Sequence, residues 1–181
     1  MRIITGSRRG RKLKTLPGDA VRPTPDRVKE ALFNILQFDL EGRVFLDLFA
    51  GSGQIGLEAL SRGAKRAVFV DSAKASCGVV LENIHTTGFE NEAQVMNAEY
   101  ASYLLRCTET FDIAFLDPPY YQGYIESALK TLPDKMNRGG VIVCEHPVDE
   151  EVPEQAGRFT RRKDYRYGKI IITTYREEEC P

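Results

Sequence analysis

The sequence predicts an α/β fold in which a mainly parallel sheet of seven strands carries helices on both faces. Three observations predict it. Short apolar runs alternate with amphipathic segments from residue 44 to residue 144, as repeated strand–helix units do. A glycine-rich turn joins the first of these strands to the helix that follows it. The last two strands are joined by a short segment that includes residues 165–168, which predicts an antiparallel hairpin at the end of the sheet.

A small β-hairpin with a basic loop is predicted before the sheet. Its arms are residues 2–5 and 11–16, and the Pro-Gly-Asp segment at 17–19 ends it. The first helix is predicted to begin at Thr24, whose hydroxyl caps it, with Pro25 at the first helical position. One apolar face of that helix is formed by Val28, Ala31, Leu32, Ile35 and Leu36.

The remaining elements alternate along the chain until the final hairpin. The predicted strands are residues 44–48, 67–71, 93–97, 111–116, 141–144, 158–163 and 169–175. The predicted helices are residues 54–62, 72–86, 99–107 and 122–132. We divide the chain into a basic N-terminal hairpin extension, residues 1–20, and a main domain, residues 21–181.

Charge is distributed unevenly, although the formal net charge of the 181 residues is only −1. The first 29 residues include nine basic and two acidic ones, a net charge of +7, and the remaining 152 residues carry −8. A basic segment on an acidic body suits a polyanionic partner, or more simply a solvated basic face.

Composition excludes several classes of protein. Hydrophobic residues make up 42% and charged residues 28%, which is typical of globular proteins and not of disordered ones. No apolar run approaches the roughly 20 residues of a membrane span, and the N-terminus lacks a signal-peptide core, so we expect a cytoplasmic protein. The wide spacing of Cys77, Cys107, Cys144 and Cys180 argues against a zinc site or a disulfide scaffold, and we expect no metal.

The glycine-rich turn predicts a nucleoside cofactor. Gly51, Gly53 and Gly56 lie between a strand and a helix, where small residues let the backbone approach a ligand closely. Asp71 ends the next strand, 20 residues after Gly51, where a carboxylate can accept hydrogen bonds from both ribose hydroxyls. The alternative is a tight strand–helix turn in which Asp71 only caps a helix.

The surrounding residues favour S-adenosylmethionine among the nucleoside cofactors. Leu57-Glu58 stands where a phosphate-binding loop needs lysine followed by a hydroxyl residue, which argues against nucleoside triphosphates. Asp47 lies four residues before Gly51 and suits a ligand with an ammonium group better than the pyrophosphate of a dinucleotide. The chain also lacks room for the second domain of a usual dehydrogenase.

A second motif, Asp117-Pro118-Pro119-Tyr120, follows the predicted strand at 111–116. The two prolines fix the backbone and remove two N–H donors, so the turn is rigid and rich in acceptors. Asp117 and the Pro118 carbonyl can both accept hydrogen bonds from an exocyclic amino group, and Tyr120 can stack on the base. This arrangement would orient the nitrogen lone pair toward a methyl donor.

With these motifs in this order, the chain resembles class I S-adenosylmethionine-dependent methyltransferases that act on exocyclic amino groups. More narrowly, it resembles the bacterial RsmD family, which methylates N2 of a guanine in 16S ribosomal RNA. The resemblance covers nearly the whole chain. The residues that carry it are 1–6, 10–13, 22–24, 26–34, 47–53, 97–98 and 117–120.

The resemblance implies a Rossmann-like fold and a role for each matching position. The cofactor would be held by Asp47, Phe49, Ala50, Gly51, Ser52, Gly53, Asp71, Ser72, Asn97, Ala98 and Asp117. The catalytic residues that hold the target amino group would be Asp117, Pro118, Pro119 and Tyr120. RNA would be bound by Arg2, Arg8, Arg9, Arg11, Lys12, Arg22, Thr24 and Arg27, with some of Arg161, Arg162, Lys163 and Arg166. Gln54 is larger than the family pattern suggests, and we expect its side chain to point outward from the turn.

Other functions stay open at this point. An adenine-N6 methyltransferase acting on DNA or RNA would use the same tetrad, and a protein glutamine methyltransferase would leave the basic hairpin without a role. A non-catalytic RNA-binding module with a cofactor fold would not need the tetrad, and a dehydrogenase would bind NAD instead. For the leading hypothesis we expect a monomer that acts on 16S ribosomal RNA within a small-subunit particle.

Overall fold

The computed structural model describes residues 1–16 and 25–178, which form one mixed sheet with helices on both faces. The strands are β1 (Val44–Asp47), β2 (Arg66–Asp71), β3 (Ala93–Asn97), β4 (Phe111–Leu116), β5 (Met136–Pro147), β6 (Gln155–Ala156), β7 (Phe159–Tyr167) and β8 (Ile170–Glu177). The helices are α1 (Asp26–Ile35), α2 (Gln54–Ser61), α3 (Lys74–Thr87), α4 (Tyr100–Arg106) and α5 (Tyr124–Leu129), and a 3-10 helix covers Leu132–Lys135. Within these residues no helix is both long and apolar enough to cross a bilayer.

The predicted fold is confirmed, with one additional strand. The described residues form eight strands in the order β3-β2-β1-β4-β5-β8-β7-β6, against the seven predicted. The first five strands along this order are parallel, and β8, β7 and β6 add antiparallel pairs at one side. The additional strand is β6, whose two residues pair with the start of β7. So short a strand carries no alternating pattern from which a sequence could predict it.

Two apolar layers cover the two faces of the sheet. Phe45 and Leu46 are neighbours on β1 but belong to different layers, because successive strand residues point to opposite faces. The layer on the Phe45 side includes residues of α1, α2 and α3. The layer on the Leu46 side includes residues of α4 and α5. The sheet is therefore buried on both faces, as crossover helices between parallel strands require.

The predicted N-terminal hairpin is present as two antiparallel segments joined by one bridge, between Arg2 and Lys12. The Ile3 N–H donates to the Arg11 carbonyl at 2.9 Å. Ile3 and Leu13 are buried in the same apolar layer as α1, α2 and α3. The hairpin is therefore anchored in the core of the protein by one buried side chain on each arm.

Buried charged side chains also anchor the hairpin. Glu58 on α2 accepts hydrogen bonds from the N–H groups of Ile4 and Thr5 at 2.8 and 2.9 Å. Lys29 on α1 lies 3.8 Å from Glu58 and donates to the Arg2 carbonyl at 2.7 Å. Both charged side chains are fully buried, so their mutual attraction and these hydrogen bonds must offset the loss of hydration. The first arm of the hairpin is thus fixed to two helices.

Some element boundaries differ from the prediction. α1 begins at Asp26, so Pro25 precedes the helix instead of taking its first position, and its carbonyl accepts the Val28 N–H at 2.9 Å. The predicted cap, Thr24, lies outside the described residues. The predicted helix at 122–132 is divided into the shorter α5 and the 3-10 helix that follows it.

Candidate active site

The predicted cofactor and target residues converge on one edge of the sheet. β1, β2, β4 and β5 run parallel, so their carboxyl ends lie at the same edge. β1 pairs with β2 on one side and with β4 on the other, so the connections diverge at this point in the sheet. Such a point leaves a crevice outside the carboxyl ends, which is where open α/β sheets bind ligands.

The glycine-rich turn after β1 adopts a backbone that favours glycine. Gly51 and Gly53 have φ angles of 55° and 78°, in the left-handed region. The Gly53 N–H donates to the Ala50 carbonyl at 2.7 Å, which closes the turn. At Gly56 an added Cβ would lie 2.3 Å from the ring of Phe69, so glycine there lets α2 pack closely on β2.

Asp71, at the end of β2, uses its carboxylate to hold the backbone around it. One oxygen accepts the Gly51 N–H at 2.9 Å, and the other accepts the Ala73 N–H at 2.8 Å. The residue therefore fixes the glycine-rich turn and also holds the backbone just before α3. Each carboxylate oxygen has a second lone pair, so both can still accept a hydroxyl hydrogen.

The end of β3 is tied to the same place. The side-chain amide of Asn97 donates to the carbonyls of Asp71 and Ser72, both at 3.0 Å, and the Ala98 N–H donates to the Asp71 carbonyl at 3.1 Å. Asn97 and Ser72 are exposed. Asn97 and Ala98, predicted to lie beside an adenine, are brought together with Asp71, which is predicted to bind the ribose.

Asp47 is a buried acid at the end of β1, with only 2% of its surface exposed. The Gly56 N–H, in the first turn of α2, donates to its carboxylate at 3.1 Å. Burial raises the pKa of Asp47, the Gly56 hydrogen bond partly opposes this rise, and the nearby Asp71 carboxylate adds to it, so that the pKa is about 7 in total. A cation placed beside this carboxylate would stabilise its ionised form.

The tetrad follows β4 into the same crevice. Pro118 is buried, Pro119 is exposed and Tyr120 is partly buried. Burial, with the carboxylates of Glu145 and Asp47, raises the pKa of Asp117 well above its ordinary value. The glycine-rich turn and the tetrad thus meet at a group of acids.

Three aromatic rings line the turn on its other side. Phe49 lies with its ring centroid 5.1 Å from Tyr100 and 6.2 Å from Tyr124, and the two tyrosine rings are 5.6 Å apart in an edge-to-face arrangement. Such rings offer an apolar, polarisable wall to a flat ligand. Tyr100 and Tyr124 were not predicted as site residues, because nothing in the sequence distinguishes them from core residues.

The turn is also connected to the N-terminal hairpin. Asn83 on α3 is fully buried, and its side-chain oxygen accepts the Lys14 N–H at 2.7 Å. Its side-chain nitrogen donates to the carbonyls of Lys14 and Ser52, at 3.0 and 2.9 Å. One side chain therefore holds both the second arm of the hairpin and the cofactor turn.

Gln54 corrects one expectation. Its side chain was predicted to point outward from the turn, but it is buried, with 6% of its surface exposed. Its Oε1 atom has no hydrogen-bond partner among the described residues. A buried acceptor without a donor is costly, which suits a site that receives a donor from a ligand or a water molecule.

These residues fit S-adenosylmethionine. The described part of the chain gives Asp47 and Asp117 no ion-pair partner, so a cationic ammonium or sulfonium group would be attracted there. The unpartnered acceptor of Gln54 adjoins the same turn. Among residues 1–16 and 25–178, no group of three or more side chains is placed to hold a metal ion.

The basic residues predicted to bind RNA occupy different environments. Arg2, Arg9, Arg11 and Lys12 are exposed on the hairpin. Arg8 is partly buried, since its Nε donates to the Thr87 carbonyl at 2.6 Å at the end of α3 and its guanidinium lies over Phe89. Arg27 is exposed in the first turn of α1, and Arg22 and Thr24 lie outside the described residues.

The basic residues of the C-terminal hairpin mostly bind within the protein. Arg161 forms ion pairs with Asp164 and Glu154, and Arg162 donates to the Glu177 carbonyl at 3.0 Å. Lys163 lies over the ring of Tyr165, and Arg166 donates to the Gly168 carbonyl at 3.2 Å. The positive charges of the N-terminal hairpin are therefore more available to an external partner than those of the C-terminal hairpin.

Comparison with known proteins agrees with this geometry. The family model described as conserved hypothetical protein 95 matches residues 1–176. The ribosomal RNA small subunit methyltransferase D of Escherichia coli (strain K12) is 34% identical over 180 residues, which cover 98% of this chain and 90% of that protein. The chain belongs to the RsmD family. YlbH of Bacillus subtilis (strain 168), named as a candidate rRNA methyltransferase, is 40% identical over 183 residues, 98% of this chain and 99% of its own.

A solved structure outside the RsmD family shares the fold. The 16S rRNA N2 G1207 methyltransferase of Thermus thermophilus, determined with AdoMet and guanosine, aligns with a TM-score of 0.71 at 21% identity. The alignment covers 90% of this chain and 45% of that chain. The arrangement of helices and strands of this RsmD-family chain therefore also occurs in a longer methyltransferase.

One acid of the site was missed. Glu145 on β5 is buried, and its Oε1 lies 3.4 Å from the Tyr120 hydroxyl. The signal was available, since Glu145 follows the apolar run at 141–144 as Asp117 follows its own strand. The apolar run predicts a strand that ends at Cys144, so Glu145 lies outside the predicted strand.

Proposed function

We propose that this protein transfers a methyl group from S-adenosylmethionine to the exocyclic N2 of a guanine in 16S ribosomal RNA. The observation that carries the proposal is the position of the Asp117–Tyr120 tetrad. It leaves β4 at the same sheet edge as the glycine-rich turn, Asp47 and Asp71. Relatives named ribosomal RNA small subunit methyltransferase D support ribosomal RNA as the substrate.

The cofactor would be held from both ends by the residues of this edge. Asp71 would accept the ribose hydroxyls, with Asn97 and Ala98 beside the adenine. The turn at 49–53 would hold the methionine part, and Asp47 would face its ammonium group. When bound, the cofactor supplies an electrophilic methyl group on a positively charged sulfur.

The tetrad would orient the target nitrogen. Asp117 and the Pro118 carbonyl accept hydrogen bonds from the two hydrogens of the amino group, so the nitrogen lone pair points at the methyl group. Tyr120 stacks on the guanine. Transfer would form a nitrogen–carbon bond, and the cofactor sulfur would keep the electron pair of the bond that it gives up. The nitrogen, now positively charged, loses one proton, which the Asp117 carboxylate can accept.

The N-terminal hairpin would hold the RNA backbone. None of its exposed basic residues Arg2, Arg9, Arg11 and Lys12 forms an ion pair within residues 1–16 and 25–178. Three of the hairpin arginines line a cavity of about 410 Å³ between the hairpin tip and the end of α3, together with Ser7, His85, Thr86, Thr87 and Gly88. Asn83 of α3 contacts Ser52 of the cofactor turn and lies about one helical turn before the α3 residues that line this cavity, so the cavity lies close to the cofactor turn. The RNA backbone would therefore be held near the cofactor turn.

The substrate would be a small-subunit particle in the cytoplasm, and the enzyme a monomer. The main support for a particle is that the described residues form the cofactor fold and the hairpin, with little other surface that could recognise one guanine among many. An RNA already folded by ribosomal proteins would present the target base and supply the missing selectivity.

The test is methyl transfer to small-subunit particles that lack the modification, using labelled S-adenosylmethionine followed by nucleoside mapping. We expect label in N2-methylguanosine of 16S ribosomal RNA. Asp117→Ala should lower the transfer rate at least about a hundredfold while S-adenosylhomocysteine binds within a few-fold of the wild type. Label in N6-methyladenosine, or full activity of the variant, would contradict the proposal.

A further inference from the structure

We propose that Glu145 is a positioning residue for methyl transfer, because its buried carboxylate holds the Tyr120 hydroxyl and places a negative charge beside Asp117. The inference rests on the proposed function, whose tetrad it concerns. It deepens that function by assigning a role to an acid that lies outside the tetrad and the cofactor turn.

The register of the sheet places the two acids side by side. Leu116 on β4 pairs with Cys144 on the parallel strand β5, so Asp117 and Glu145 are the next residues along the two strands. Neighbouring strands lie about 4.8 Å apart, and laterally adjacent residues of parallel strands point to the same face. The carboxylates of Asp117 and Glu145 therefore share one side of the sheet.

Asp47 lies on the same side, by the same reasoning. It pairs with Phe115, two residues before Asp117, so Asp47 and Asp117 project from the same face of the sheet. The antiparallel neighbour of Glu145 on β8 is Ile172, which is apolar and fully buried. Glu145 thus lies between Asp117 at the end of β4 and Ile172 on β8, with 2% of its own surface exposed.

Among the described residues, the charged and titratable groups that face Asp117 come from the neighbouring strands and from the tetrad itself. Asp47 faces it from β1 and Glu145 from β5, and both carboxylates raise the pKa of Asp117 beyond the effect of burial. Asp71 on β2 acts on Asp47. Tyr120 contributes a hydroxyl 3.4 Å from Glu145. Both carboxylates act on Asp117 in the same direction, so together they make it hold a proton more strongly.

This arrangement suits the proton that methyl transfer releases. An ordinary aspartate is a weak base, with a pKa near 4, and would accept that proton poorly at neutral pH. The negative charge of Glu145 makes Asp117 a better acceptor. The same carboxylate holds the Tyr120 hydroxyl, so it also fixes the ring that would stack on the guanine.

The test is the pH dependence of the single-turnover methyl-transfer rate in Glu145→Gln. Glutamine keeps the shape and removes the charge, so Asp117 should ionise at lower pH. We expect the acid limb of the profile to move down by about one pH unit and the plateau rate to fall roughly tenfold. Glu145→Asp should restore the position of the limb.

Three further measurements separate the effect of the Glu145 charge on Asp117 from other causes of a changed rate. Glu154→Gln is the matched control, since it removes an exposed charge that does not act on Asp117, and its profile should equal that of the wild type. Tyr120→Phe should lower the plateau rate and leave the limb in place. A ¹³C NMR titration of the Asp117 carboxyl follows its ionisation without activity, so it tests Glu145 even if the methylated base proves to be a different one. An unchanged titration in Glu145→Gln would overturn the proposal.

Discussion

At the scale of single residues, two glycines of the N-terminal hairpin look alike in the sequence and differ in the structure. Gly6 and Gly10 flank the basic loop, with φ angles of 87° and 82°. A Cβ on Gly10 would meet nothing within 4 Å, whereas a Cβ on Gly6 would lie 1.8 Å from the Ser61 carbonyl oxygen. Gly6 must therefore be small because the hairpin touches the backbone of α2 at that point.

This difference predicts unequal effects on stability. Gly10→Ala should lower the free energy of unfolding by about 1 kcal/mol, since alanine is strained at a positive φ. Gly6→Ala has the same strain and must also displace the backbone of α2, so it should cost at least about 3 kcal/mol. Urea unfolding of both variants measures the difference, and equal losses would show that the Ser61 contact is unimportant.

The sequence predicts the position of a site residue where the same signal, an acid at the end of an apolar strand, is repeated along the chain. Asp47, Asp71 and Asp117 each end an apolar strand, and the structure brings all three to one edge of the sheet. Glu145 gave the same signal but depends on where β5 ends. The burial of Gln54 had no local signal at all, because it depends on how distant segments cover α2.

At the scale of elements, the hairpin is the clearest case of a feature that the sequence shows only in part. Its charge and turn residues predicted an exposed basic arm. Its fixation depends on Glu58, Asn83 and Lys29, polar residues more than ten positions away that are buried and bonded to its backbone. Long-range hydrogen bonds of this kind leave no period in the sequence. The boundaries of α1 and α5 differ for a similar reason, since tertiary contacts override weak local preferences.

The hairpin prediction is tested by its exposed charges, because removing the whole hairpin would also uncover the core. Arg9→Ala with Arg11→Ala should weaken RNA binding and reduce the slope of log K against log salt by about 1.4 to 1.8, at 0.7 to 0.9 for each phosphate contact. The fold should be unaffected, since both side chains are exposed. Filter binding over a salt series measures the slope.

The matched control removes two other exposed arginines. Arg106 is at the end of α4 and Arg138 is near the start of β5. The double variant Arg106→Ala with Arg138→Ala changes the net charge of the protein equally. A slope reduced to the same extent in both double variants would mean that RNA responds to total charge, and the hairpin would then have no special role.

At the scale of the whole molecule, the near-zero net charge results from two opposing regions. The basic surplus lies in the first 29 residues, while the rest of the chain carries −8. Part of that negative charge is concentrated at one edge of the sheet, at Asp47, Asp71, Asp117 and Glu145. Like charges in a buried place destabilise the fold, so the site is assembled at a cost in stability that a cationic ligand would reduce.

The pH dependence of stability measures this cost for Asp47. Its pKa is about 7 in the folded protein and near 3.8 in the unfolded chain. Between these values the folded state binds a proton that the unfolded state lacks, so stability falls as the pH rises from about 4 to about 7. Asp47→Asn removes this dependence. The variant should match the wild type near pH 4 and exceed it above pH 7, by up to roughly 4 kcal/mol at 1.4 kcal/mol for each pK unit.

The same substitution should weaken the binding of S-adenosylhomocysteine, because the ammonium group would lose its carboxylate partner. Thermal unfolding from pH 4 to pH 8 gives the stability difference, and calorimetric titration gives the affinity. Gain of stability with loss of affinity would show that this acid is kept for the ligand and not for the fold. If the variant were less stable at pH 8, the Gly56 hydrogen bond would outweigh the burial of charge, and Asp47 would act mainly as a cap for α2.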